Sequence, residues 1–173
     1  SITASAGHIL RHEGEYLQYI STTTRRPDHP YVLRTLGLAR TQDLDGPWTL
    51  DPEPILPVWE QVENTSLYYE PANGHWFLFT NHIGLEPGVD EFTDAIWVYW
   101  STDLTRWDPA HKALVLDGES CAWSTRCIGM PTVLPIGERL AVFYDAPGGD
   151  SISHWDRDIG LAWLDLPLAV PQR

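Results

Sequence analysis

The chain is short of the residues that recognise polyanions. One of its 173 residues, Lys112, is a lysine, and 11 Lys and Arg face 24 Asp and Glu, a formal charge of −13 at pH 7. That excess repels nucleic acid and anionic lipid, so neither is expected as a partner. Cysteine is scarce as well. Cys121 and Cys127 enclose a short loop; they could pair, but one bridge cannot staple a chain of this size, and they are read as reduced or incidental. No apolar run approaches the roughly 20 residues of a membrane-spanning helix. The opening SITASAGHILRHEGEY has no basic stretch leading into an apolar one, which gives the expectation of a cytoplasmic protein. A helical stripe of ten or more residues is missing everywhere.

What is abundant is aromatic. Nine Trp and seven Tyr accompany a 43% hydrophobic, 20% charged composition, enough to build a core and unlike a disordered acidic tail. The length favours one domain over residues 1–173. Trp and Tyr fill β-rich cores, and they also stack on the apolar faces of ligands while keeping a polar partner.

Three segments repeat: GEYLQYIS from Gly14, GHWFLFTN from Gly74 and GERLAVFYD from Gly137, with glycines 60 and 63 residues apart. A second set is LGLARTQDLDGPW, IWVYWSTDLTRW and IGLAWLDLPL, in which Gly37, Val98 and Gly160 correspond at spacings of 61 and 62. Two independent landmarks with nearly one period define a repeat. The middle unit reads as four short strands, near 66–70, 75–81, 95–101 and 113–116, with Asn73-Gly74 as the first hairpin turn. Four antiparallel strands repeated about an axis make a β-propeller blade. The expected fold is all-β, a partial propeller of about three four-stranded blades near 1–60, 61–121 and 122–173; a sandwich of hairpins is the rival. In each unit the second connection is long, and long loops in a compact fold carry function. The loops at 21–33, 81–94 and 145–158 gather many titratable groups, Glu91, Asp94, Asp145, His154, Arg157 and Asp158 among them, with Arg34 just beyond the first.

GLARTQDLDGPW followed by PEPILP, and GHWFLFTN after its glycine turn, resemble the repeat units of five-bladed propeller glycoside hydrolases, the β-fructosidase and arabinofuranosidase–xylosidase type. The resemblance covers about three blades. It implies a glycoside hydrolase acting on a small oligosaccharide or aryl glycoside, with Glu63 of WEQVENTSLYYEPANG at the position of the proton donor. Desolvation beside Trp59 would raise such a carboxyl, as a donor requires, whereas Glu60 is expected to be solvated. A second carboxylate is needed, and Asp94, Asp145 and Asp158 are the local candidates, Asp158 lying next to Arg157. Trp59, Asn64, His82, Arg126, Asp145, His154 and Arg157 are expected to contact sugar, Arg126 matching Glu63 in the third repeat. Ala6 stands where the family's Asp is expected, and the blade that would supply the nucleophile or base has no counterpart here. These departures favour the alternative, a non-catalytic carbohydrate-binding or assembly module. No cofactor is expected, and the spacings give no metal site beyond the axial cation that such propellers sometimes hold.

Three blades cannot surround an axis, since both ends of the arc would expose apolar faces. Either the chain is part of a longer propeller that supplies the remaining blades, or two copies meet about a common axis; a homodimer is the expectation.

Overall fold

A computed structural model describes residues 3–171. The elements are strands: β1 Thr3–His12, β2 Glu15–Thr24, β3 Leu33–Thr41, β4 Thr49–Leu50, β5 Val62–Glu70, β6 His75–Gly84, β7 Phe92–Ser101, β8 Lys112–Leu116, β9 Gly129–Ile136, β10 Arg139–Ala146 and β11 Asp158–Asp165, with one 3-10 turn at Val58–Glu60. They form three antiparallel sheets ordered β1-β2-β3-β4, β5-β6-β7-β8 and β9-β10-β11, the blades of a partial propeller. The third has three strands because the chain after β11 leaves the sheet. Pro167 has no N–H for a ladder, and the N–H of Leu168 goes instead to the Glu70 carboxylate at 3.0 Å.

Alternation places the blades face to face. In β2, Leu17, Tyr19, Ser21 and Thr23 are buried while their neighbours are half-exposed, the period-two pattern of a strand with one covered face. Two cores result. One, between blades 1 and 2, holds Leu17, Tyr19, Leu36, Leu38, Leu56, Val62, Leu78 and Tyr99. The other, between blades 2 and 3, holds Phe77, Phe79, Ile96, Val98, Leu140, Val142 and Tyr144. Blade 2 is thus covered on both sides and reads as the most continuously apolar.

Each innermost strand carries a bulge near its entry. Asn64 and Met130 adopt left-handed φ of 55° and 51°, and the register slips beside both. Asparagine tolerates this conformation better than most side chains, and such bulges re-aim side chains at the ends of sheets. The long connections, residues 25–32, 85–91 and 147–157, all lie at this bulged end.

Candidate functional site

At the bulged end, Arg34 opens β3 and reaches across to blade 2. Its Nη1 donates to Glu63 Oε2 at 2.9 Å, and its Nη2 donates to Glu91 Oε1. One guanidinium therefore holds two carboxylates, one on each terminal nitrogen. The reach of two such bonds sets the carboxylates roughly 7 Å or less apart. Side-chain exposure is 19% for Arg34, 20% for Glu63 and 34% for Glu91, so the group is sheltered yet open to solvent. The backbone is pinned beneath it. Thr80 Oγ1 donates to the Glu63 carbonyl at 2.6 Å, and the Asn64 N–H donates to Ser21 Oγ at 2.8 Å.

Blade 3 adds its own cluster. Arg157 donates to Asp145 Oδ1 at 2.6 Å, to Thr93 Oγ1 at 3.0 Å and to Cys127 Sγ at 3.1 Å. Burial opposes the Arg157 charge, but the Asp145 carboxylate and the Cys127 sulfur hold the guanidinium pKa above its usual value. His154 links the two clusters, its Nε2 donating to the Glu91 carbonyl at 3.0 Å. Between them Asn81, fully buried, accepts from Asn64 Nδ2 at 3.0 Å and from the Met130 N–H at 3.1 Å. Three buried donors, Arg34 Nε, Asn81 Nδ2 and Arg157 Nε, have no hydrogen-bond partner among the described residues. Orphan donors of this kind are rare in folded proteins, and here all three belong to this one end.

A separate cluster lies three residues before Glu63. Glu60 Oε2 accepts from Tyr99 Oη and from Lys112 Nζ, each at 2.5 Å, and His82 Nε2 donates to Tyr99 Oη at 2.8 Å. Burial would raise the Glu60 carboxyl, but Lys112 and Tyr99 hold it below the ordinary range. Burial pushes the His82 imidazole down to about 4, with Lys112 adding to the effect. His82 also stacks on Trp97, ring centroids 5.0 Å apart.

The expected site residues divide accordingly. Glu63, Asn64, Asp145, His154 and Arg157 gather at the bulged end. His82 does not join them; the ladder neighbour of Val62, it bonds Tyr99 and stacks on Trp97 in the Glu60 cluster. Glu60 itself, expected to be solvated, has a side chain only 9% exposed, because the Val58–Glu60 turn folds it under Lys112. Asp158 is exposed at the start of β11, and its neighbour Arg157 turns to Asp145 instead. Asp94 lies with Arg126 in a different cleft of about 310 Å³, lined also by Glu86, Trp97 and Asp117. Arg126 there pairs with Glu86 at 2.6 Å and stacks on Phe92. Partial desolvation, then Asp117 and Glu86, raise the Asp94 carboxyl above its ordinary range. Trp59 is 74% exposed.

No protein-family model matches the chain, and no curated protein sequence does. Solved structures do. The Bombyx mori GH32 beta-fructofuranosidase in complex with sucrose superposes with a TM-score of 0.62 at 13% identity, covering 92% of this chain and 33% of that one. The Cellvibrio cellulosa alpha-L-arabinanase gives 0.58 at 13% identity, covering 95% and 52%, and a glycoside hydrolase gives 0.60 at 15%, covering 96% and 55%. This chain has the fold of about three blades of the propeller glycoside hydrolases. It spans between a third and just over half the length of these matches.

Propeller register corrects one of the residue equivalences. Opposite the middle strand, Glu63 pairs with Asn81, Ser5 with Ser21 and Gly129 with Asp145. Gly129, not Arg126, is therefore the counterpart of Glu63 in blade 3, and Ser5 is its counterpart in blade 1. A Cβ on Gly129 would come within 2.5 Å of Thr93, so backbone approach leaves no room there for a long side chain. Arg34 and Glu91 escaped selection as site residues for a plain reason. Both flank long loops, but only the fold brings their side chains to Glu63.

Proposed function

We propose that the chain is a carbohydrate-active propeller, a glycoside hydrolase acting on a small oligosaccharide or aryl glycoside, with Glu63 at the reacting centre. The observation that carries this reading is the Glu63–Arg34–Glu91 bridge at the loop-rich end. Two carboxylates a few ångströms apart are the equipment of glycoside hydrolysis, which uses separations of about 5–5.5 Å for retention and about 6.5–9.5 Å for inversion. Glu91 thereby replaces Asp94 and Asp158 as the second carboxylate. In the resting arrangement Arg34 occupies both acids, so a sugar must displace one prong before Glu63 can hand a proton to the leaving oxygen. His154 and Asn64 supply polar groups for sugar hydroxyls, and Asn81 carries an unpaired amide N–H beside them.

One observation favours a second reading, a non-catalytic carbohydrate-binding module: Arg34 neutralises both acids, and blade 1 offers Ser5 where blade 2 has Glu63. A panel of nitrophenyl glycosides, run beside calorimetry with the same sugars, separates the two. Hydrolysis that Glu63→Gln lowers by about 10²–10⁴ supports the enzyme. Binding heat without turnover supports the module, and unchanged hydrolysis in Glu63→Gln removes Glu63 from the chemistry.

A further inference from the structure

A cleft of about 1320 Å³ opens between blades 1 and 2 at the hairpin end of the blades, away from Glu63. One wall is the β1–β2 hairpin with the end of β3, and the other is the β5–β6 hairpin with the turn after β7. Both walls therefore belong to the two blades that share the first core, and buried Leu17 and Leu104 of that core line the base. Tyr69 stands six residues beyond Glu63 on β5, about 20 Å away at the rise of a strand. A ligand in this cleft is not the one held at the bulged end.

Aromatic surface is fixed inside it. Tyr69 is 43% exposed and leans on half-buried Trp76, ring centroids 4.8 Å apart, while His12 meets Trp76 edge-on at 6.1 Å. Trp76 packs on the first core, so the pair is anchored from beneath. Neither Tyr69 Oη nor Trp76 Nε1 has a hydrogen-bond partner among the described residues. Rings held in a wet cleft with free polar edges suit ligands that have an apolar face and a polar rim.

The polar groups around the rings include both donors and acceptors. Arg40 is fixed by Asp51, Nε to Oδ1 at 2.9 Å and Nη2 to Oδ2 at 2.8 Å, which leaves Nη1 only a 3.5 Å contact with Glu15. Glu13 has His12 at 3.9 Å, and Asp103 Oδ2 has Arg106 at 4.0 Å. The exposed Gln42 amide makes no hydrogen bond among the described residues. A hydroxyl both donates and accepts, and so matches such a mixture. Anions are disfavoured, because Glu13, Glu15 and Asp103 outnumber Arg40, whose charge Asp51 already answers.

We infer that this cleft is a second carbohydrate site, one that binds a neutral glycan by stacking a sugar ring on the Tyr69–Trp76 pair while Gln42, Arg40 and Glu13 meet its hydroxyls. Its size accommodates several sugar rings. It anchors a glycan without reacting with it, and it stands whether or not Glu63 turns a glycoside over.

Affinity electrophoresis tests it on the 173-residue chain, in native gels carrying xylan, arabinan, levan or mixed-linkage glucan, with calorimetry on the matching oligosaccharides. At least one neutral polymer retards the wild type, and galacturonan does not. Tyr69→Ala and Gln42→Ala change exposed positions, so both keep the far-UV circular dichroism of the wild type. Tyr69→Ala weakens the binding about tenfold and Gln42→Ala weakens it less, while any hydrolysis of nitrophenyl glycosides stays at the wild-type rate in both. A wild type that no neutral glycan retards or heats overturns the inference. So does retardation that Tyr69→Ala leaves at full strength, which places the glycan elsewhere, and so does galacturonan binding as tightly as the neutral polymers.

Discussion

Glu60 and Glu63 stand three residues apart, and they belong to two different kinds of charge cluster. Glu60 is closed in: Lys112, Tyr99 and His82 form a chain of hydrogen bonds around it, and its carboxylate holds the crossing from blade 1 to blade 2 against β7 and β8. Glu63 is left open. It shares Arg34 with a second carboxylate, it is more exposed, and three unpaired buried donors lie in its group and the neighbouring one. A satisfied buried network serves the fold, whereas unpaired donors beside doubled carboxylates are the mark of a group built for something that binds. The left-handed Gln61 that ends the 3-10 turn, φ 50°, lies between the two glutamates and turns the chain from the Glu60 cluster into β5.

The comparison breaks most readily at Glu60. Glu60→Gln leaves the Lys112 ammonium without its counter-charge in a largely buried place and should cost about 2–3 kcal/mol of unfolding free energy, the partial exposure of Lys112 reducing the penalty of a fully buried broken pair. Urea titration at neutral pH measures it, and a loss under about 0.5 kcal/mol would make Glu60 a surface charge after all. Acid is the next test. The His82 imidazole falls to about 4 in the folded chain against 6.5 unfolded, so the unfolded chain binds the proton first. Stability is complete well above pH 6.5 and drains away as the pH falls toward 4, by about 2.5 kcal/mol at pH 4.5, and Glu60, held below its ordinary range, adds a loss further down. His82→Phe should flatten the upper part of that profile; an unchanged slope would assign the acid sensitivity elsewhere. The smallest effect belongs to the open cluster: Glu91→Gln keeps a hydrogen-bond acceptor for Arg34 at a one-third exposed position and should move stability by less than about 1 kcal/mol.

Much of the fold was legible because the repeat writes itself in turn residues. Asn73-Gly74 and the Asp-Leu signatures after β3 and β7 mark where strands end, and the strands of blade 2 extend the expected ones by a few residues at the bulged end. The fourth strand of blade 3 was not legible, since only the path of Leu168 toward Glu70 shows that the chain leaves the sheet. Among the residues that gather at the bulged end, Asp145, His154 and Arg157 stood out by loop position, and Glu63 by its place in the motif that carries the resemblance. Sequence neighbours misled in two places. Arg157 adjoins Asp158, but at the end of its loop its guanidinium reaches Asp145 instead, and Glu60 looked like the outward member of its pair because nothing in the local pattern reveals Lys112, 52 residues away. Arg34 and Glu91 meet across two blades, a contact that only the stacking of sheets creates.

The most direct test sets Glu60→Gln and Glu63→Gln side by side, measuring thermal midpoint and hydrolysis of the best nitrophenyl glycoside for each. The account predicts a crossing: the Glu60 variant melts lower but, while folded, turns over as the wild type does, and the Glu63 variant melts as the wild type does but loses turnover. Two variants that lose stability and turnover in parallel, or a Glu60 variant that alone loses turnover, would contradict it.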